Sequence, residues 1–125
     1  MEAPRVAAKF DGLINWERFD FLDYARSHYM NVCFKDSRPV GIMMGRLIAS
    51  IFDQQTAILF QDLLYVSEPC RGAAHLLLAE FIDFGKSNAN HVFTTLGQKT
   101  NIKGRSLEKF GFKKVEETYL LEIPR

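Results

Sequence analysis

The chain has 125 residues, 47% of them apolar, which is enough for one compact domain with a real core and too few for two. Sixteen basic side chains against 15 acidic ones leave a formal net charge of +1, which excludes a bulk electrostatic footprint for nucleic acid or an acidic membrane surface. The longest apolar runs, such as Val40 to Ile51, are broken by Gly and Arg and fall short of the roughly 20 residues that span a bilayer.

Met1 to Phe10, with Glu2 and Pro4 and no apolar centre, does not read as a signal peptide, so the cytoplasm is the expected compartment. Cys33 and Cys70 are too few for a disulfide framework and read as reduced thiols. One domain over residues 1–125 is expected.

Val6 to Phe10 is the only candidate for an early strand. Asn15 can cap a helix that starts at Trp16, with Glu17 in the first turn where the helix dipole favours a carboxylate. Phe19, Leu22, Ala25 and Tyr29 recur at three or four residues and predict its inner face. Asn31 to Lys35 is a short β-rich run, and Asp36-Ser37-Arg38-Pro39 suits a tight turn, so a hairpin is expected. Its second arm, Val40 to about Phe52, is apolar on both parities, as a strand covered on both faces should be. Asp53-Gln54-Gln55 turns the chain into another strand, Thr56 to Val66.

After Val66 the period changes. Leu77, Leu78, Phe81, Ile82, Phe84 and Gly85 form a broad apolar stripe opposite Glu80, Asp83 and Ser87, which predicts an amphipathic helix. Asn88-Ala89-Asn90 closes it, and His91 to Leu96 reads as a strand parallel to the one before the helix, giving a β-α-β unit. Residues from about Ile102 to Phe110 predict a short helix, with Gly111 at its C′ position. Phe112 to Ile123 then predicts a last strand, with Tyr119, Leu121 and Ile123 on one face. The expected fold class is α/β (α+β): a mixed, mostly antiparallel central sheet flanked by helices.

The segment Val66-Ser67-Glu68-Pro69-Cys70-Arg71-Gly72-Ala73-Ala74 carries the most potential chemistry. Small residues at a helix start let backbone N–H groups approach an anion, and the dipole adds favourable potential for phosphate. An ordinary strand-to-helix connection with a surface arginine is the equally open alternative. His28, His75 and His91 lack metal-ligand spacing and no cysteine joins them, so no metal site is expected.

The order of elements and these residues together resemble the GNAT superfamily of acyl-coenzyme A-dependent N-acyltransferases. Gly72-Ala73-Ala74 before His75-Leu76-Leu77-Leu78 resembles the end of the family's phosphate loop and the helix after it. Gly104 to Phe112 resembles its short helix ending in Gly-Phe, and Arg38-Pro39-Val40-Gly41 its early hairpin. The likeness spans roughly residues 30 to 123 and is closest in flavour to small stand-alone members of phages and bacteria.

The resemblance implies acetyl-coenzyme A as co-substrate, an amine of a small molecule or protein as acceptor, and direct transfer. Arg71, Gly72, Ala73, Ala74 and His75 would then face the diphosphate, the Leu64-Tyr65-Val66 backbone would pair with the pantetheine amides, and Asn101 would lie beside the cofactor. Asp62, interrupting an apolar strand, is the candidate base, with a carboxylate paired or solvated at a sheet bulge as the competing reading. Gln61 could position water. The family's frequent tyrosine acid falls at Leu107, which cannot donate a proton, so Ser106 is the nearest hydroxyl candidate. Pro69 departs from the loop pattern. These departures keep a second reading open, a GNAT-fold interaction module that binds a protein partner without catalysis. Neither nucleic acid nor membrane is expected as a partner, and exposed sheet edges leave room for a homodimer.

Overall fold

The computed structural model describes residues 20–67, 72–95 and 104–124. In chain order the elements are α1 (Phe21–Ser27), β1 (Tyr29–Lys35), β2 (Arg38–Ala49), β3 (Ala57–Val66), α2 (Gly72–Asn88), β4 (His91–Phe93) and α3 (Gly104–Lys109). The strands form one sheet in the order β1-β2-β3-β4, antiparallel except for the β3–β4 pair.

α1 is shorter than the periodicity predicts. Asp20 caps it, its Oδ1 accepting from the Asp23 N–H at 3.0 Å, and it ends where His28 takes up extended backbone. Asn15 and Phe19 lie outside the described residues. The predicted inner face is overturned: Leu22 and Ala25 are exposed, Tyr29 already belongs to β1, and Tyr24 is the half-buried member. A 3.6-residue period carried past Ser27 counted a strand residue as helix, and that rotated the assigned face.

The β1–β2 hairpin forms at Asp36-Ser37, whose φ angles of 52° and 64° are the pair of positive values that a two-residue turn needs to match strand twist. Asp53 organises the β2–β3 turn. Its Oδ1 accepts from the Gln55 N–H at 3.1 Å, and its Oδ2 accepts from the Thr56 hydroxyl at 2.9 Å.

Of β2, only Gly41 to Gly45 are buried, so the strand is covered on both faces over five of its 12 residues. On one face Met43, Leu59 and Val66 pack against Ala74, Leu77, Leu78 and Phe81 of α2, and Leu107 of α3 completes this core. On the other face Ile42, Met44 and Leu63 form a smaller cluster with Tyr24, Met30, Val32 and Tyr65 around them. Phe81 is wholly buried, so its truncation to Ala would cost about 3–5 kcal/mol.

The β2–β3 register shifts between Met44 and Gly45, which pair with Leu63 and Gln61, so Asp62 is the extra residue of a bulge. The bulge moves the inward parity of β3: Leu59 lies in the first core and Leu63 in the second. Gly45 sits opposite it under Phe81. A Cβ there would stand 2.5 Å from Phe81 Cε1 and 2.6 Å from the Phe60 carbonyl oxygen, so only glycine fits.

The β-α-β unit is present, with Ile58, Leu59 and Phe60 of β3 paired in parallel to His91, Val92 and Phe93. Leu96, in the predicted span of β4, lies outside the described residues, as does Val6 to Phe10. Gly111, at φ +99°, ends α3 as expected. The predicted last strand is not formed. Phe112 is half-buried against the core, but residues 113–124 pair with no strand among the described residues and are exposed.

Candidate functional site

The parallel ladder between β3 and β4 stops at Phe60↔Phe93, whereas β3 runs on to Val66. At Thr94 and Thr95 the contact with β3 passes from backbone to a side chain. Gln61 Nε2 donates to the Thr95 carbonyl at 3.3 Å, and its Oε1 accepts from the Thr94 hydroxyl. Both ends of the Gln61 amide are thus engaged by Thr94 and Thr95.

α2 begins beside the end of β3, because Ala74 in its first turn shares a core with Val66. Gly72 is exposed, and among the described residues no atom outside its chain neighbours and its own helix backbone lies within 4 Å of where a Cβ would stand. Ala73 is half-buried and Ala74 buried, so the first turn is anchored by its small side chains. The N–H groups of a first helical turn lack intrahelical acceptors and carry the positive end of the dipole, which is a ready anion site. His75 is exposed and stacks on Phe110, ring centroids 6.2 Å apart, which ties α2 to the end of α3. Arg71 and Asn101 lie outside the described residues.

Asp62 stands at the bulge on the α1 side of the sheet. Its Oδ2 accepts from the Tyr24 hydroxyl at 2.8 Å, and its Oδ1 accepts from Arg46 Nε at 2.8 Å. Tyr24 also reaches the Gly45 carbonyl at 2.9 Å and stacks on His28 at 4.3 Å. Arg46 lies over the Phe60 ring at 5.9 Å. Burial pushes the Tyr24 phenol well above its ordinary range, and the bond and charge of Asp62 push the same way, against a smaller opposing effect of Arg46. Tyr24 thus stays a neutral donor to the carboxylate. A carboxylate offers about four lone-pair directions, so two bonds leave Asp62 room for a further donor.

Leu64 packs against the α2-side core and Tyr65 against the opposite cluster. Ser106 is half-buried on α3, and Leu107 beside it points into the core at 9% exposure. The position where the resembled family often has an acid is here a packing position. The structure thus groups Asp62 with Tyr24 and Arg46, neither of which was singled out from sequence. The available signal was that Arg46 and Asp62 interrupt adjacent antiparallel strands with opposite charges. Among the described residues no group of three or more His, Cys, Asp or Glu side chains could hold a metal ion. No helix among them is long and apolar enough to cross a membrane.

No family model matches the sequence, and no curated protein matches it closely. Solved structures do. An acetyltransferase of Trypanosoma brucei superposes with a TM-score of 0.67 at 20% identity, over 82% of this chain and 75% of that one. An aminoglycoside N-acetyltransferase in complex with coenzyme A matches at 0.65 and 14%, over 100% of this chain and 97% of its own. The chain has the GNAT fold. A transcriptional regulator from Bacillus halodurans matches at 0.69 and 15%, over 98% and 95% of the two chains, so the likeness of fold does not by itself fix a role.

Proposed function

We propose that this GNAT-fold chain transfers an acyl group, acetyl in the simplest case, from acyl-coenzyme A to an amine of a small molecule or protein. The observation that carries the reading is that, among the described residues, the β3–β4 ladder stops at Phe60↔Phe93 while β3 runs on to Val66 beside the first turn of α2. A strand edge released from its neighbour offers main-chain donors and acceptors to an extended amide-bearing chain, and a helix N-terminus offers amides to phosphate. Coenzyme A would bring the two amides of its pantetheine arm to the end of β3 and the diphosphate behind them to the start of α2.

In this reading the amides of Gly72, Ala73, Ala74 and His75, with Arg71, hold the diphosphate. The backbone of Leu64, Tyr65 and Val66 holds the arm, and Asn101 flanks it. The bound thioester supplies an activated carbonyl carbon and a thiolate leaving group. Asp62 takes the proton lost by the acceptor ammonium, directly or through water, and Ser106 gives a proton to the departing sulfur. Tyr24 and Arg46 fix the orientation of the Asp62 carboxylate, so its remaining lone pairs point in a set direction. The acceptor is an amine able to approach that carboxylate.

Thermal melting with and without acetyl-coenzyme A tests this, because a ligand that binds only the folded chain must raise the midpoint. A rise that saturates with concentration, reduced in Arg71→Ala, is the expected result. No shift at millimolar cofactor overturns the enzymatic reading and leaves the non-catalytic interaction module. The burial of Leu107 where a proton donor often stands, together with the departure of Pro69 from the loop pattern, favours that second reading.

A further inference from the structure

The bulge at Asp62 sets its carboxylate against Arg46 of β2, whose Nε donates to Oδ1 at 2.8 Å. That bond uses one edge of the guanidinium. Among the described residues the two Nη groups hold no hydrogen bond, although they carry most of its N–H donors. Arg46 is held from below as well: its guanidinium carbon lies 5.9 Å from the centre of the Phe60 ring, and Phe60 stacks on Phe93 at 5.0 Å. The Arg46 side chain is 46% exposed and that of Asp62 27%, so a solute can reach both.

This fixed pair discriminates between amines by charge. An alkylammonium ion that arrives at the spare lone pairs of Asp62 also meets the Arg46 charge bonded to the same carboxylate, so attraction and repulsion offset each other. An acceptor with its own carboxylate beside the amine reverses that balance. Its ammonium meets Asp62 while its anion meets the Nη edge of Arg46, where paired N–H groups match a carboxylate in two-point fashion. The four charges then alternate in sign.

We propose that the acceptor is a free α-amino acid, bound with its amine at Asp62 and its carboxylate on the Arg46 guanidinium. This rests on the acyl-transfer reading and names its substrate class. Asp62 takes one proton from the ammonium, and the freed nitrogen lone pair bonds the acyl carbon. The carbon–sulfur bond breaks with its electron pair on sulfur, and the second proton of the nitrogen ends on that sulfur. The product amide is uncharged, so its attraction to Asp62 is gone and the contact with Arg46 alone retains it, which favours release.

Thiol release from acetyl-coenzyme A is measured with the common L-amino acids, each against its α-carboxamide, which stands in for the amino terminus of a peptide. At least one amino acid should exceed its amide in kcat/KM by about 10–100-fold, the worth of a charge-assisted contact. Arg46→Gln should shrink that preference to a few-fold, mainly through KM, and Arg46→Lys should recover part of it; circular dichroism checks that both variants fold. Saturation-transfer NMR of the same amino acid reads binding without turnover, and its signal should fall in Arg46→Gln. A cofactor melting shift with amides used as well as acids overturns this proposal and leaves the acyl-transfer reading standing. Equal losses for acid and amide in Arg46→Gln also overturn it, because Arg46 then only positions Asp62. Arg46-dependent amino acid binding without any cofactor shift keeps the amino acid site and removes the transfer, and absence of both overturns the two together.

Discussion

Tyr24 and Asp62, 38 residues apart, meet through a 2.8 Å hydrogen bond in which the phenol donates to the carboxylate, and this joins α1 to the bulge of β3. The folded chain keeps the Tyr24 proton more tightly than the unfolded chain does, mainly through burial and then through Asp62. The stability gained is complete below the ordinary phenol value of 10.0 and is lost as pH rises above it, because the unfolded state ionises first. Tyr29, also raised chiefly by burial, adds to the same trend. Urea titrations at increasing alkaline pH should show a falling midpoint, with a shallower fall in Tyr24→Phe. That variant should also lose about 1–2 kcal/mol at neutral pH, since it removes the single phenol proton that Asp62 and the Gly45 carbonyl both approach. An unchanged alkaline slope would remove Tyr24 as its cause.

Gly45 and Gly72 should respond oppositely to the same added methyl. Gly45→Ala drives a Cβ against Phe81 and the Phe60 carbonyl, a clash that includes backbone, and should cost about 1–3 kcal/mol or more. Gly72→Ala meets open space and should leave the melting midpoint of the free chain nearly unchanged. If the start of α2 holds a diphosphate, Gly72→Ala instead reduces the midpoint shift produced by acetyl-coenzyme A. Paired melts with and without cofactor separate the two effects.

The pattern of hairpin, helix and crossover was legible because each rests on local chemistry: the Asp36-Ser37 turn, the Leu77-Leu78-Phe81 stripe, and the parallel return at His91. The bulge at Asp62 was legible only as an alternative, because a one-residue register shift depends on which partner residue lies opposite, and a single strand does not encode that. Tyr24 escaped notice for the same kind of reason, since its partners, Asp62 and the Gly45 carbonyl, come from strands distant in sequence. Phe112 to Ile123 has strand alternation but no partner within the described residues, which shows that alternation reports a tendency to pair and not the pairing itself.

Asp62→Asn separates base chemistry from structure. The Arg46–Asp62 pair is part-exposed, at 46% and 27%, so its loss should cost no more than about 1 kcal/mol of stability. If Asp62 accepts the acceptor's proton, the rate of thiol release from acetyl-coenzyme A with an amine should fall about 10²–10⁴-fold, with the melting shift by cofactor retained. A rate within a few-fold of the native chain would remove Asp62 from that role.

Leu107 gives the sharpest test of whether the missing acid matters. Its side chain lies at the junction of α3 with Ala74, Leu77 and Phe81, so Leu107→Ala should cost about 2–5 kcal/mol through the cavity it leaves. Leu107→Tyr places a phenol where related folds often carry one, but into a core already filled. Overpacking by the ring should destabilise by about 1–3 kcal/mol. Because the inward direction at this position is set by the helix rather than by the residue type, the new hydroxyl should not accelerate acyl transfer. Melting curves and acetyl-coenzyme A turnover on the two variants check both statements, and a faster Leu107→Tyr chain would mean that α3 can turn this position toward the splayed strands.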